Sequence, residues 1–161
     1  MKKKLSVVIS AFNEESTIER CLKSVKFADE IIVIDNESHD QTKKIATNNH
    51  ATVYSQLNQL MLNNNKNYGF TKAEAEWILN LDADEVVTDE LQQEIHTIIN
   101  SDSDYDGYWI PRKNVIFGKW IKHGIWWPDK QLRLFKKGKG KFLCQRIHEY
   151  VSVDGKVGEL T

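Results

Sequence analysis

The apolar residues of this chain fall into short unbroken runs separated by stretches with helical spacing. Leu5–Ala11 (LSVVISA) is apolar and β-branched, as a strand covered on both faces should be. Asn13-Glu14-Glu15-Ser16 then opens a helix with acids at its positive end, and Ile18, Cys21, Leu22 and Val25 recur behind it at helical intervals. Residues 31–34 (IIVI) predict a second buried strand, stopped by Asp35-Asn36. Residues 40–49 predict a second helix, and 51–54 a short third strand. The polar, asparagine-rich stretch 58–67 reads as a loop, followed by a helix around 71–76. Residues 77–81 form a fourth strand ending at Asp82-Ala83-Asp84-Glu85. Residues 88–100 make an amphipathic helix with Leu91, Ile95, Ile98 and Ile99 on one side. Strand and helix alternate throughout, which predicts an α/β fold with a mostly parallel sheet and helices on both faces.

From Tyr105 onward the chain is richer in aromatics, glycines and basic residues, with short strand candidates at 107–110, 115–117, 131–135 and 149–153. There is no internal repeat and no clean boundary, so 1–161 reads as one domain with a regular half (1–100) and an irregular half (101–161). A length of 161 residues supports one proper core. The net charge of −1 argues against a general affinity for nucleic acid. Lys2, Lys3 and Lys4, and again Lys136, Lys137, Lys139 and Lys141, form local basic runs. These are either solvated surface or a contact for anionic lipid or for an acceptor. Cys21 and Cys144 belong to no CxxC pair and read as reduced thiols. No run approaches the ~18 apolar residues of a membrane helix, and the first apolar run reads as a strand and not a signal peptide. The cytoplasm, with peripheral contact at the inner face of the membrane, is the expected location.

In an open parallel sheet, ligands gather at the carboxyl ends of the strands. Three polar clusters sit there: Ala11-Phe12-Asn13-Glu14, Asp35-Asn36-Glu37 and Asp82-Ala83-Asp84-Glu85. Acids at neighbouring strand ends repel one another unless a cation or a hydrogen-bonded ligand offsets them. On extended chain Asp82 and Asp84 would point to the same side. Their hard oxygens suit Mg²⁺ or Mn²⁺, ions that share their shell with phosphate oxygens and water. The plainer reading is a solvated turn or a helix cap.

LSVVISAFNEE, EIIVIDNESHDQT, NYGFTKAEA, EWILNLDADE and WWPDKQLRLF, in that order, resemble the family 2 glycosyltransferases of GT-A fold. Among these, the small bacterial enzymes that build lipopolysaccharide core and other surface glycans are most alike. The resemblance spans nearly the whole chain. Such enzymes run on past the counterpart of Gly155-Lys156-Val157-Gly158, so the chain is expected to be either a C-terminally truncated member or an unusually short one. The likeness implies a GT-A, Rossmann-like fold with a nucleotide-binding half and an acceptor half. It implies a UDP-hexose donor and a glycan or glycolipid acceptor. Ala11, Phe12 and Glu14 match the segment that lines uridine and ribose, Asp35 the acid that binds the base, and Lys72 a basic residue near the nucleotide. Asp82 matches the acid nearer the ribose, and Asp84 the metal ligand. Ser10 stands where proline is frequent, and Asn36-Glu37 replace a small Ser-Gly pair.

Inverting transfer needs a base for the acceptor hydroxyl. Asp129, within Trp126-Trp127-Pro128-Asp129, resembles the family's catalytic carboxylate, with Gln131 and Arg133 following as in related enzymes. Burial beside the tryptophans would raise its pKa, and pairing with Arg133 would lower it; Pro-Asp is also ordinary turn chemistry. Glu149, next to His148, is the second candidate base. Trp109, Trp120, Trp126 and Trp127 are candidates to stack on a sugar acceptor or to anchor the core, whereas His123 and His148 show no shared ligand spacing. Two functions stay open: a metal-dependent inverting hexosyltransferase, and a catalytically silent nucleotide-sugar-binding or scaffold module lacking a complete acceptor site, a homodimer being one form it could take. A nucleotidyltransferase would need a glycine-rich basic loop after the first strand, and Phe12-Asn13-Glu14-Glu15 is opposite in charge.

Overall fold

A computed structural model describes residues 2–58, 61–116, 118–122, 127–145 and 150–161. The regular half runs β1 (Leu5–Ala11), α1 (Ile18–Ser24), β2 (Glu30–Asp35), α2 (Thr42–Asn48), β3 (Thr52–Ser55), α3 (Leu62–Lys72), β4 (Trp77–Asp82) and α4 (Asp89–Ile99). The irregular half adds β5 (Gly107–Arg112), β6 (Val115–Ile116), β7 (Lys119–Trp120), β8 (Asp129–Lys136), β9 (Gly140–Lys141), β10 (Ser152–Val153) and β11 (Val157–Glu159).

One sheet of seven strands, in the order β11-β5-β8-β4-β1-β2-β3, draws on both halves. β3, β2, β1 and β4 are parallel. β8 then pairs antiparallel with both β4 and β5, and β11 runs parallel to β5. The fold is the expected α/β sheet, mostly parallel, with an antiparallel insertion from the second half. The order reverses at β1, which has β2 on one side and β4 on the other, so its carboxyl end is the switch point where a ligand crevice forms.

Alternation along each strand feeds two cores. Val7, Ile9, Trp77, Leu79 and Leu81 pack with Ile18, Cys21 and Leu22 of α1 and Ile95 and Ile99 of α4. Val8, Ile32, Ile34 and Ile78 pack on the opposite face with Phe70 of α3, Leu132, Phe135 and Phe142. β8 breaks this alternation: Tyr108 pairs with Leu134 but Trp109 pairs with Leu132, leaving Arg133 as an extra residue in a β-bulge. Leu134 therefore enters the first core while Leu132 and Phe135 both enter the second. The β4–β8 ladder ends beside this bulge, at Leu79 and Leu134.

The expected loop at 58–67 is largely the helix α3, and the helix expected around 71–76 ends at Lys72, with Ala73 already extended. Asparagine is a poor helix former because its side chain competes for backbone groups, but here those side chains have distant partners. Asn65 donates to Asn36 Oδ1 at 2.6 Å and to the Leu57 carbonyl at 2.8 Å. Asn67 brackets Phe142, donating to its carbonyl at 2.8 Å and accepting from its N–H at 2.9 Å. The strand expected at 131–135 begins earlier, at Asp129, and β11 was not anticipated.

α3 lies close on the sheet at Gly69, where an added Cβ would stand 2.6 Å from Val8 Cγ1 and 2.9 Å from Ile34 Cγ1. Gly69→Ala is expected to lower the unfolding free energy by about 1–2 kcal/mol, overpacking outweighing the better helix propensity of alanine. A urea midpoint equal to or above that of the wild type would refute this close contact.

Candidate active site at the carboxyl edge

Strand register assembles the edge. Ala11 lies opposite Asp35, and Ser10 beside Asp82, so three strand ends are one strand spacing apart, ~4.8 Å each. The loops after β1 and β2 are tied together: Asn13 N–H donates to Ser38 Oγ at 3.0 Å, His39 N–H to Asn13 Oδ1 at 2.8 Å, and Glu14 N–H to Thr42 Oγ1 at 2.7 Å. Phe12 is exposed, Ala11 is buried, and the Glu14 carboxylate accepts from Thr17 Oγ1 at 2.5 Å. Asn36 is buried and donates to Ser10 Oγ and the Ala11 carbonyl, each at 3.0 Å. Glu37 has φ 60°, a left-handed conformation that favours glycine. That is a physical reason for the small residue at this place in the enzymes the sequence resembles. Asp35 is buried, and its Oδ1 has no hydrogen-bond partner among the described residues.

At the end of β4 the charges alternate. Asp82 accepts from Lys66 Nζ at 2.6 Å and from Arg133 Nη2 at 2.8 Å. Glu85 Oε1 accepts from the same Arg133 nitrogen at 2.5 Å and from Arg112 Nη1 at 3.5 Å, while its Oε2 accepts the Asp82 N–H at 2.9 Å. Arg112 lies across the β5–β8 ladder from Asp129 and donates to its Oδ2 at 2.7 and 3.0 Å. Asn114 adds a third bond to Oδ2 at 3.0 Å, and Gln131 donates to Oδ1 at 2.8 Å. Asp129, Arg112, Glu85, Arg133, Asp82 and Lys66 thus form one chain of alternating sign.

Burial would raise the pKa of Asp82, but the charges of Arg133 and Lys66 outweigh it and hold the carboxyl well below the usual range. Glu85 goes the other way. Its burial, with repulsion from Asp82, outweighs the pull of Arg133 and raises its pKa. For Asp129, burial is outweighed by the bonds from Asn114, Gln131 and Arg112, and its pKa is lowered. The partner of Asp129 is therefore Arg112, and Arg133 serves Asp82 and Glu85 instead. Cys21, under the same turn, is a buried free thiol pushed up to about 12, first by burial and then by Glu85 and Asp84.

The extended backbone on which Asp82 and Asp84 were expected to face one site does not continue past Asp82. The chain turns at Asp82, whose carbonyl accepts the Glu85 N–H at 3.0 Å, so extended-strand alternation no longer applies and Asp84 is exposed. Among the described residues no group of three His, Cys, Asp or Glu side chains could hold a metal. Asp82 is taken by two cations. The exposed Asp84 carboxylate still fits Mg²⁺ or Mn²⁺ in the way such ions bind phosphate esters, through one acid plus phosphate oxygens and water.

Beside Asp82 opens a cavity of about 290 Å³, lined among others by Lys66, Asn80, Arg112, Arg133 and Phe142. Lys72 does not line it; its ammonium lies 4.8 Å from the Tyr68 ring centroid and 5.4 Å from that of Tyr54. Trp109 packs edge-on against Tyr150 at 5.5 Å and Trp120 against Trp127 at 5.0 Å, so these tryptophans are engaged with other rings. Glu149, Trp126, His123 and His148 lie outside the described residues. The sequence reading missed Lys66, Arg112 and Asn80. Lys66 had a signal: Asn63, Lys66, Asn67 and Phe70 repeat at helical spacing once the asparagines are not taken as breakers.

Residues 6–152 match the model of the family described as Glycosyl transferase family 2. An uncharacterized glycosyltransferase of Rickettsia bellii is 43% identical over 102 residues, covering 63% of this chain and 34% of the relative. The lipopolysaccharide core biosynthesis glycosyltransferase LpsC of Rhizobium meliloti is 25% identical over 166 residues, covering 96% of this chain and 59% of LpsC. The chain therefore spans between a third and three-fifths of the length of these curated relatives. Among solved structures, S. aureus TarS 1-349 superposes with a TM-score of 0.66 at 20% identity, covering 85% of this chain and 47% of that one. Glucosyl-3-phosphoglycerate synthase from Mycobacterium tuberculosis, in a complex with Mn²⁺ and UDP, gives 0.56 at 20%, covering 67% and 43%. At these identities the structural likeness establishes the fold alone. No helix among the described residues is long and apolar enough to cross a membrane.

The Asp82 pairs give the site a pH signature. A carboxyl whose pKa falls on folding binds its proton more tightly when unfolded, so stability rises with pH. The contribution is complete above the ordinary range near ~4 and is lost as pH falls toward the folded value. Asp82→Asn should start less stable at neutral pH but lose less on acidification from about pH 5 to pH 2. Parallel acid limbs in urea titrations of the two proteins would contradict the ion pairs.

Proposed function

Because the chain belongs to glycosyl transferase family 2, we propose that it is the donor-binding and catalytic part of an inverting transferase that moves a hexose from a UDP-sugar to a glycan or glycolipid acceptor. The observation that carries this reading is the edge itself: Ala11, Asp35 and Asp82 at neighbouring strand ends of the switch point, with a buried Asp35 oxygen that has no partner among the described residues, and an exposed Phe12 following Ala11. A buried acceptor without a partner is rare in proteins and calls for a donor from a ligand; the N–H of a uracil ring is one. TarS, in complex with UDP-GlcNAc in one of its structures, supports a nucleotide-sugar donor, and the Campylobacter jejuni relative, 36% identical over 92 residues and named a GalNAc(5)-diNAcBac-PP-undecaprenol beta-1,3-glucosyltransferase, supports hexose transfer to a lipid-linked glycan.

In this reading residues 1–100 hold the nucleotide and residues 101–161 bring the acceptor. Phe12 covers the base, Glu14 lies by the ribose, and Asp35 Oδ1 accepts from the base. Asp84 would hold Mg²⁺ or Mn²⁺, which when bound supplies positive charge to the departing diphosphate. Lys66 and Arg133 fix Asp82 in its ionised form, ready to accept from the ribose. As the acceptor hydroxyl attacks the anomeric carbon, its proton passes to Asp129 Oδ1, which carries one donor against the three on Oδ2. Arg112 keeps this carboxylate charged and oriented. Those same bonds make Asp129 a weak base, which favours the second reading, a nucleotide-sugar-binding module without turnover.

Thermal melts and a transfer assay test both readings. UDP with Mn²⁺ should raise the melting temperature by mass action, and Asp84→Ala should abolish that gain. Asp129→Asn should retain the gain but cut hexose transfer or donor hydrolysis by ~10²–10⁴-fold. No gain at millimolar UDP rejects the donor site. A gain without any turnover leaves the silent module.

A further inference from the structure

The cavity beside Asp82 has a feature that the nucleotide site does not use. Asn80 is 0% exposed, and neither its amide nitrogen nor its amide oxygen has a hydrogen-bond partner among the described residues. It stands on β4 two residues before Asp82, on the same side of the strand, and lines the cavity with Lys66, Gln131 and Phe142. The β4–β8 ladder stops at Leu79 and Leu134, next to the bulge at Arg133, so Asn80 has no paired residue on β8. A buried amide without partners is costly, and it is tolerated where something else completes it.

The chemistry of that partner can be narrowed. An amide offers a donor and an acceptor together, which matches a hydroxyl; a phosphate, which only accepts, would leave the Asn80 oxygen unpaired. Phe142 and Leu132 supply an apolar wall, suited to the C–H face of a pyranose. The volume of about 290 Å³ is near the lower end of small-molecule sites, ~300–1,000 Å³, and suits one sugar ring. The three cations on the lining, Lys66, Arg112 and Arg133, are matched by Asp82, Glu85 and Asp129. No charge is left over for an acidic sugar.

We propose that this cavity seats the sugar ring of the donor, that the ring is uncharged, and that Asn80 selects it by bonding one of its hydroxyls. This rests on the donor being a nucleotide-sugar, as above. The test is calorimetry of the full chain with Mn²⁺, titrating UDP, UDP-glucose, UDP-N-acetylglucosamine and UDP-glucuronate into wild type, Asn80→Leu and Asn80→Ala. For the tighter of the two neutral sugar nucleotides, both variants should weaken binding about tenfold while holding UDP to within about twofold. Wild type should bind UDP-glucuronate about tenfold more weakly than that neutral donor. Asn80→Leu should melt no lower than wild type, because it removes an unpaired buried amide. The proposal is overturned if the variants bind the neutral donors as wild type does, in which case the cavity holds water alone. It is equally overturned if UDP weakens in parallel, if UDP binds but neither neutral donor does, or if the glucuronate binds as tightly. Failure of UDP itself to bind wild type instead removes the donor reading, and this inference with it.

Discussion

Arg133 keeps a full charge at a position 7% exposed to solvent, and the carboxyl edge is organised around that fact. Taking a guanidinium out of water costs several kcal/mol unless nearby acids and good geometry offset it. Burial opposes the charge, yet Glu85 and Asp82 outweigh it and raise the Arg133 pKa further. Each of those acids is in turn shared with a second cation, Lys66 from α3 and Arg112 from β5. The chain closes at Asp129, the first residue of β8. Four separate elements and the turn after β4 are thus held by one run of opposite charges, in which no member can change state without disturbing the next.

This arrangement assigns different protonation behaviour to two acids only a turn apart. Asp82 and Glu85 meet the same nitrogen of Arg133, but Asp82 has Lys66 as well and holds its charge, while Glu85 is the one that takes a proton more readily. Lys66 and Arg133 already hold the ionised Asp82 in place at this strand end, so nothing there must rearrange to keep its charge.

The sequence was most legible where burial alone decides structure. The runs LSVVISA, IIVI and WILNL can only be strands covered on both faces, and their polar endings had to gather at one edge; register then put Ala11, Asp35 and Asp82 together as expected. It was least legible where side chains act at long range. The asparagines of α3 look like loop residues until Asn36, Leu57 and Phe142 are seen to be their partners. Asp84 looked paired with Asp82 because spacing says nothing about a turn. Arg112 and Asp129 are 17 residues apart in the chain, and only the antiparallel pairing of β5 with β8 makes them neighbours. Arg133 was picked out, but for the wrong carboxylate.

The bulge that carries Arg133 has a further meaning. Without its one surplus residue, the neighbouring strands could zip straight past Leu79, and Leu132 and Leu134 would still keep their opposite sides by ordinary alternation. The hollow beside Asp82 lies where the β4–β8 ladder stops, next to a strand carrying one residue more than its other neighbour, so residue count as well as residue identity marks this spot.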